Sequence, residues 1–107
     1  IMNISMLTII SPVALEDVII DWLLEQDDID GFNSFPIYGH GSSKEAHMSM
    51  SERVTGKSAR VMFQTHVELD VAKNILKRLK KQFASGDIHY MIRPLIDAGN
   101  LMSYDEI

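Results

Sequence analysis

Four side chains with soft or borderline donor atoms crowd one polar stretch of this chain. His40, His47, Met48 and Met50 all lie in YGHGSSKEAHMSMSERVTGK, from Tyr38 to Lys57. Thioether sulfur suits Cu(I), and imidazole suits copper, zinc or nickel. His47-Met48-Ser49-Met50 sets three candidate ligands within four residues. His40 stands seven residues upstream of His47, and Glu45 and Glu52 could add oxygen. No fixed-spacing motif is matched, so the signal is one of composition. A compact domain rarely keeps a loop beyond about 12–15 residues unless it binds something or is disordered. The expectation is therefore a flexible functional loop at about residues 41–57.

Other chemistries find little support. The chain has no cysteine, which excludes disulfides, thiolate metal sites and cysteine nucleophiles. An enzyme would need a nucleophile beside its base, or convergent carboxylates. Glu16, Asp17, Asp21 and Glu25 instead fall on an exposed helix face, and the chain is expected not to be an enzyme. His66 and His89 read as strand-face histidines or subunit-contact residues.

The elements that must position the loop can be read from periodicity. Ile4–Ile10 is a β-rich apolar run, and Ser11-Pro12 stops it and opens a helix, with Ser11 as cap. Leu15, Val18, Ile19, Trp22 and Leu23 recur at helical spacing up to Asp30-Gly31. Residues 32–40 form a second strand carrying Pro36. Residues 58–67 form a third, with Ala59, Val61, Phe63 and Val67 facing the core and Arg60, Met62, Gln64 and His66 facing away. A second helix spans about 69–84, with Leu69, Ala72, Ile75, Leu76, Leu79 and Phe83 on one stripe and Gly86 as its C-terminal cap. Residues 88–96 make a fourth strand carrying Pro94.

The order βαββαβ predicts a ferredoxin-like α+β fold. Right-handed crossovers give a four-stranded antiparallel sheet in the order 4-1-3-2, with two helices on one face. Proline removes a ladder donor and belongs on edge strands. Pro36 and Pro94 sit on the two strands that this order makes edges. The 107 residues are expected to form one domain.

Two helices leave one sheet face open, and in a monomer that face should be polar. Here either face of the first strand is apolar, Ser5, Leu7 and Ile9 on one side and Ile4, Met6, Thr8 and Ile10 on the other. Met62, Met91 and Leu95 extend the outward apolar set. Such a face marks an interaction surface and favours an oligomer. An RNA-recognition module shares the element order but needs aromatics on the open face of the third strand, which has none. The net charge of −5 also argues against nucleic acid. Charge is uneven: residues 1–43 hold seven acids and no Lys or Arg, while Lys73, Lys77, Arg78, Lys80 and Lys81 cluster on the second helix. No run approaches the roughly 18 apolar residues of a membrane span and no leader appears, so a cytoplasmic protein without membrane insertion is expected.

Together these features resemble the PII-like superfamily, small βαββαβ proteins with a long loop between strands 2 and 3. The resemblance rests on Gly39-His40-Gly41 opening the loop, Val54-Thr55-Gly56-Lys57 leaving it, and Ser85-Gly86-Asp87 after the second helix. More narrowly the chain resembles an uncharacterised proteobacterial PII-like family associated with heavy-metal efflux systems. The resemblance implies a homotrimer and a signalling role, with the loop contacting a membrane transporter or efflux component. It implies ligand contacts at Gly39, Gly41, Gly86 and Asp87, with Lys57 and Arg93 supplying charge. The chain departs from the PII pattern where a further glycine and a lysine should follow Asp87, since Ile88-His89 stands there. The paired arginines after the fourth strand are replaced by Ile96-Asp97-Ala98. A soft or borderline metal ion, held by His40, His47, Met48 and Met50 with one loop from each subunit, is thus favoured over a nucleotide. The expected function is that of a non-catalytic PII-like regulatory protein, the alternative being a Cu/Zn-binding accessory or sensor protein of an efflux system.

Overall fold

The computed structural model describes residues 3–41, 57–84 and 86–105. In chain order these form β1 (Ile4–Pro12), a 3-10 turn (Val13–Leu15), α1 (Glu16–Leu24), β2 (Asn33–His40), β3 (Lys57–Glu68), α2 (Leu69–Gln82), β4 (His89–Pro94) and a second 3-10 turn (Leu101–Ser103). The sheet is antiparallel throughout, in the order β2-β3-β1-β4. This is the ferredoxin-like α+β arrangement expected. Pro36 and Pro94 lie on the edge strands, where the missing N–H leaves no ladder gap.

β1 runs two residues further than expected. Ser11 pairs with Val61 and Pro12 with Arg60, while β4 stops opposite Ile10. The last two residues of β1 therefore have a neighbour on one side only, and Pro12 is tolerated there. Ser11 does not cap a helix; its hydroxyl donates to the Pro12 carbonyl, and the following turn has no side-chain cap.

Register fixes which side chains share a face. Ile9 stands opposite Phe63 and Tyr90, and Leu7 opposite Thr65 and Ile92, so the odd positions of β1 and β3 face the helices. Leu7, Ile9, Val61 and Phe63 meet Ile19 and Leu23 of α1 and Ala72, Ile75 and Leu79 of α2 in one buried core. Ile29, just after α1, joins that core although no periodic pattern marks it. Trp22 and Phe83 meet edge-to-face at 6.2 Å and join the two helices. Arg78 of α2 donates from Nη2 to both Asp28 carboxylate oxygens and from Nε to Gln26, so one base of the cluster is an intrachain clasp. Gly86 donates to Phe83 O but has no left-handed φ; the helix ends at Phe83. Its smallness serves another contact, since a Cβ there would meet Leu15 Cδ1 at 3.1 Å.

The even positions form the opposite, helix-free face. Ile4, Met6, Thr8 and Ile10 of β1 align with Met62, Gln64 and His66 of β3, His89, Met91 and Arg93 of β4, and Phe35 and Ile37 of β2. Leu95 lies beyond the last strand. Thr8 is buried on this face, and among the described residues its hydroxyl has no hydrogen-bond partner. No helix among the described residues is long and apolar enough to cross a membrane.

These placements separate two similar-looking substitutions. Phe63→Ala is expected to cost about 3–5 kcal/mol in urea unfolding, the range for a buried Phe truncated to Ala. Val18→Ala, at a helix position left 50% exposed, is expected to change stability by within about 0.5 kcal/mol. Comparable losses for both would mean that α1 packs by a different face.

Candidate functional site

The two ends of the 41–57 stretch are brought together by pairing. Gly39 stands opposite Ser58, and His40 opposite Lys57, at the last rung of the β2–β3 ladder. Gly41 then turns with φ of +90°, a conformation that glycine alone adopts without strain. Lys57 Nζ lies 5.3 Å over the Tyr38 ring, a cation–π contact that ties the outgoing strand to the incoming one. The backbone at the root of the stretch is thus a short, fixed rung.

The residue that organises this root is Arg60. Alternation puts it on the helix-free face, away from the core between sheet and helices. It is nonetheless only 6% exposed. Its Nη2 donates to Asp87 Oδ2 at 3.0 Å, across the sheet from β3 to the α2–β4 junction. Gly39 leaves the room for this: a Cβ there would sit 3.2 Å from Arg60 Nε. Asp87 in turn accepts from the His89 imidazole, Nε2–H to Oδ1 at 3.1 Å in the tautomer that carries the proton on Nε2. Hydrogen bonding from Arg60 holds the Asp87 carboxyl below the usual carboxylate range; partial burial opposes this, and the charges of Arg60 and His89 add to the lowering. Ser58, buried beside Gly39, has a hydroxyl with no hydrogen-bond partner among the described residues.

The candidate ligand contacts separate into groups. Gly39, Gly41, Lys57, Gly86 and Asp87 do collect at one end of the sheet. Arg93 does not: it pairs with Met6, four residues along β4 from His89, roughly 13 Å away at strand rise. Of the metal candidates, His40 is exposed at the end of β2, while His47, Met48 and Met50 lie outside the described residues, as do Glu45 and Glu52. His66 is exposed opposite Met6, on the far side of β1 from His89. Among the described residues no three His, Asp or Glu side chains form a group able to hold a metal ion. A signal for Arg60 does exist in the sequence: a cation in a central strand, with a glycine predicted on the strand beside it.

The sheet order agrees with what comparison of the whole chain finds. A family model described as "Protein of unknown function (DUF3240)" matches residues 2–102. The chain belongs to the DUF3240 family. A DUF3240 protein from Shewanella baltica superposes with a TM-score of 0.75 at 20% identity, covering 94% of this chain and 99% of that one. The same fold recurs in CPII, a nitrogen regulatory PII-like protein of Thiomonas intermedia seen with ADP, AMP and bicarbonate. There the TM-score is 0.63 at 18% identity, over 87% of this chain and 92% of that one. Bacillus subtilis GlnK in its ATP complex gives 0.65 at 14% identity, over 96% and 91%. No curated protein sequence matches the chain. At these identities the likeness establishes a PII-like fold for this DUF3240 member.

The Arg60–Asp87 pair carries two expectations. Asp87→Ala leaves the buried guanidinium without its carboxylate and should cost about 1–3 kcal/mol. Asp28→Ala, which opens the solvent-exposed pair with Arg78, should cost about 0–1 kcal/mol. Because the Asp87 carboxyl is lowered, its contribution is fully present above the usual carboxylate range and is lost as pH falls through the lowered value. Unfolding free energies of the parent and Asp87→Asn should therefore converge in acid and stand apart at neutral pH. A pH-independent gap would show that the carboxylate charge is not what matters.

Proposed function

We propose that this DUF3240 protein is a non-catalytic, cytoplasmic PII-like regulator, a homotrimer whose helix-free sheet faces meet and whose 41–57 segment is the effector arm. The observation that carries this is the built root of the segment. Both its ends are fixed on one β2–β3 rung, and Arg60 and Asp87 tie that rung to the α2–β4 junction. A ligand binding there can move the segment without disturbing the core. The PII-like fold supports the reading, as do the named ligands of CPII and GlnK, which bind at some site on that fold.

The ligand reading favours a metal over a nucleotide. Among the described residues the charge of Arg60 is already matched by Asp87 and Arg93 is at the far end of the sheet, so the positive charge that the root brings to a phosphate is that of Lys57. His40, exposed at the end of β2, favours a second reading: a Cu/Zn-binding accessory or sensor protein of a heavy-metal efflux system, with a membrane transporter or efflux component as partner. His40 would then supply one imidazole, and His47, Met48 and Met50 the rest of a soft donor set. The described residues alone do not make that site.

Two measurements test the function. Light scattering should give the mass of three chains at micromolar concentration; a monomer would remove the trimer. Calorimetry against Cu(I), Zn(II), ATP and ADP, joined to amide exchange over residues 41–55, should show a ligand whose binding slows exchange there. The variant with His40, His47, Met48 and Met50 all changed to Ala should lose metal binding while its unfolding midpoint stays near the parent's. A ligand that binds but leaves exchange in 41–55 unchanged would contradict an effector arm, and metal binding unchanged in the variant would contradict the metal reading.

A further inference from the structure

The C-terminal residues 95–105 carry a surface that the fold itself does not use. Leu95 donates its N–H to Ile4 O at 3.0 Å, and the chain then leaves the sheet. Within the next nine residues Ile96, Leu101, Met102 and Tyr104 are 107%, 85%, 94% and 60% exposed. Single exposed apolar residues are ordinary, but a run of this density marks an interaction site. The arm is also locally shaped. Asn100 Oδ1 accepts from Met102 N at 2.9 Å, Ser103 N donates to Asn100 O, and Tyr104 N donates to Leu101 O. Leu101 and Met102 are thus presented on a formed turn, which lowers the ordering cost of docking.

A matching surface lies between α2 and β4. Leu76, Phe83, Ile88 and Tyr90 line an open groove of about 480 Å³, with Lys77 and Lys80 also lining it. The groove has two lysines and no acid among its lining residues. The arm has the reverse: from Leu95 to Asp105 it holds Asp97 and Asp105 and no base. Apolar surfaces of similar scale thus carry opposite charge on one chain.

We infer that the arm of one copy docks in the α2–β4 groove of a second copy, Leu101 and Met102 entering the apolar groove while Asp97 or Asp105 meets Lys77 and Lys80. A second copy is the occupant because the arm leaves β4 at the end remote from its own groove. The groove is at the His89–Tyr90 end and the arm departs after Pro94, roughly 17 Å along six residues of strand. To return, the arm would have to double back along that strand. The apolar contact supplies the affinity; the rim charges fix orientation and raise the association rate. The contact uses neither the helix-free sheet face nor the 41–57 segment, so its failure and that of the proposed function are distinguishable.

The absence of native cysteine makes the test direct. Leu101→Cys and Tyr90→Cys proteins are mixed and mildly oxidised, and the mixed disulfide between them is measured by mass spectrometry. Lys77→Cys is a second groove position, should Tyr90→Cys fold poorly by circular dichroism. The mixed disulfide should form in roughly tenfold higher yield than that of Leu101→Cys with Glu25→Cys, because docking raises the local thiol concentration. Adding Lys77→Glu and Lys80→Glu to the Tyr90→Cys partner should cut that yield severalfold. A yield no higher than the Glu25→Cys control overturns the inference. So does a disulfide that closes only within single chains of the Leu101→Cys/Tyr90→Cys double variant.

Discussion

A four-stranded sheet has two faces, and here both helices cover the same one. That asymmetry is the constraint on which the rest of the structure depends. Leu7, Ile9, Val61 and Phe63 are closed off by α1 and α2, whereas Ile4, Met6, Ile10, Met62, Met91, Phe35 and Ile37 line a face with no helix over it. Burial of apolar area is the main favourable term in folding and association, at roughly 25 cal/mol per Å². Seven apolar side chains in adjacent register are a standing drive toward a partner. Thr8 shows how closely this layer already packs, since a small hydroxyl in its midst is sealed from water and has no partner among the described residues. Leaving a buried donor unmade costs about 1–3 kcal/mol, so that position is held in place by its neighbours and not by its own hydrogen bonding.

Where this layer ends, charge takes over. Arg60 is the one base on the helix-free face that burial has nearly sealed, and a buried cation is tolerated only when paired. Its partner Asp87 belongs to the α2–β4 junction, so the pair links the second half of the chain to the root of the 41–57 segment. Gly39 is needed on the β2 side because the guanidinium stem lies across it. Two glycines at the start of the segment therefore have different physical reasons: Gly39 for close approach and Gly41 for its positive φ. Neither reason requires a phosphate.

The fold was legible because its determinants are local. Period two in β3, period 3.6 in α2 and the prolines on β2 and β4 each reflect a steric or hydrogen-bonding rule that acts within a few residues. Together they specify the element order and the sheet edges. Two readings fail where the determinant is not local. Ser11-Pro12 looked like a helix start, yet β3 pairs with both because β4 stops short of them. Gly86 looked like a left-handed cap, yet its size is set by Leu15, from the turn preceding α1. Arg60 lies on the face that alternation gives it, yet it is buried, because alternation says where a side chain points and not what folds over it. At the site, the sequence collected Gly39, Gly41, Lys57, Gly86 and Asp87 at one end of the sheet, while Arg93 fell away because its four-residue offset along β4 is a matter of register. His47, Met48 and Met50 lie outside the described residues, and their role rests on their chemistry alone.

The central claim is that copies of this chain cover one another's helix-free faces. Methyl-labelled methionine observed by NMR in the presence of a soluble paramagnetic agent tests it most directly. If the faces meet, the methyl signals of Met6, Met62 and Met91 stay sharp at micromolar concentration and broaden only on dilution. Met91 is 43% exposed in the single chain, so it should show the larger change. Broadening of all three methyls at every concentration would mean that the face stands open to water, and would contradict the account.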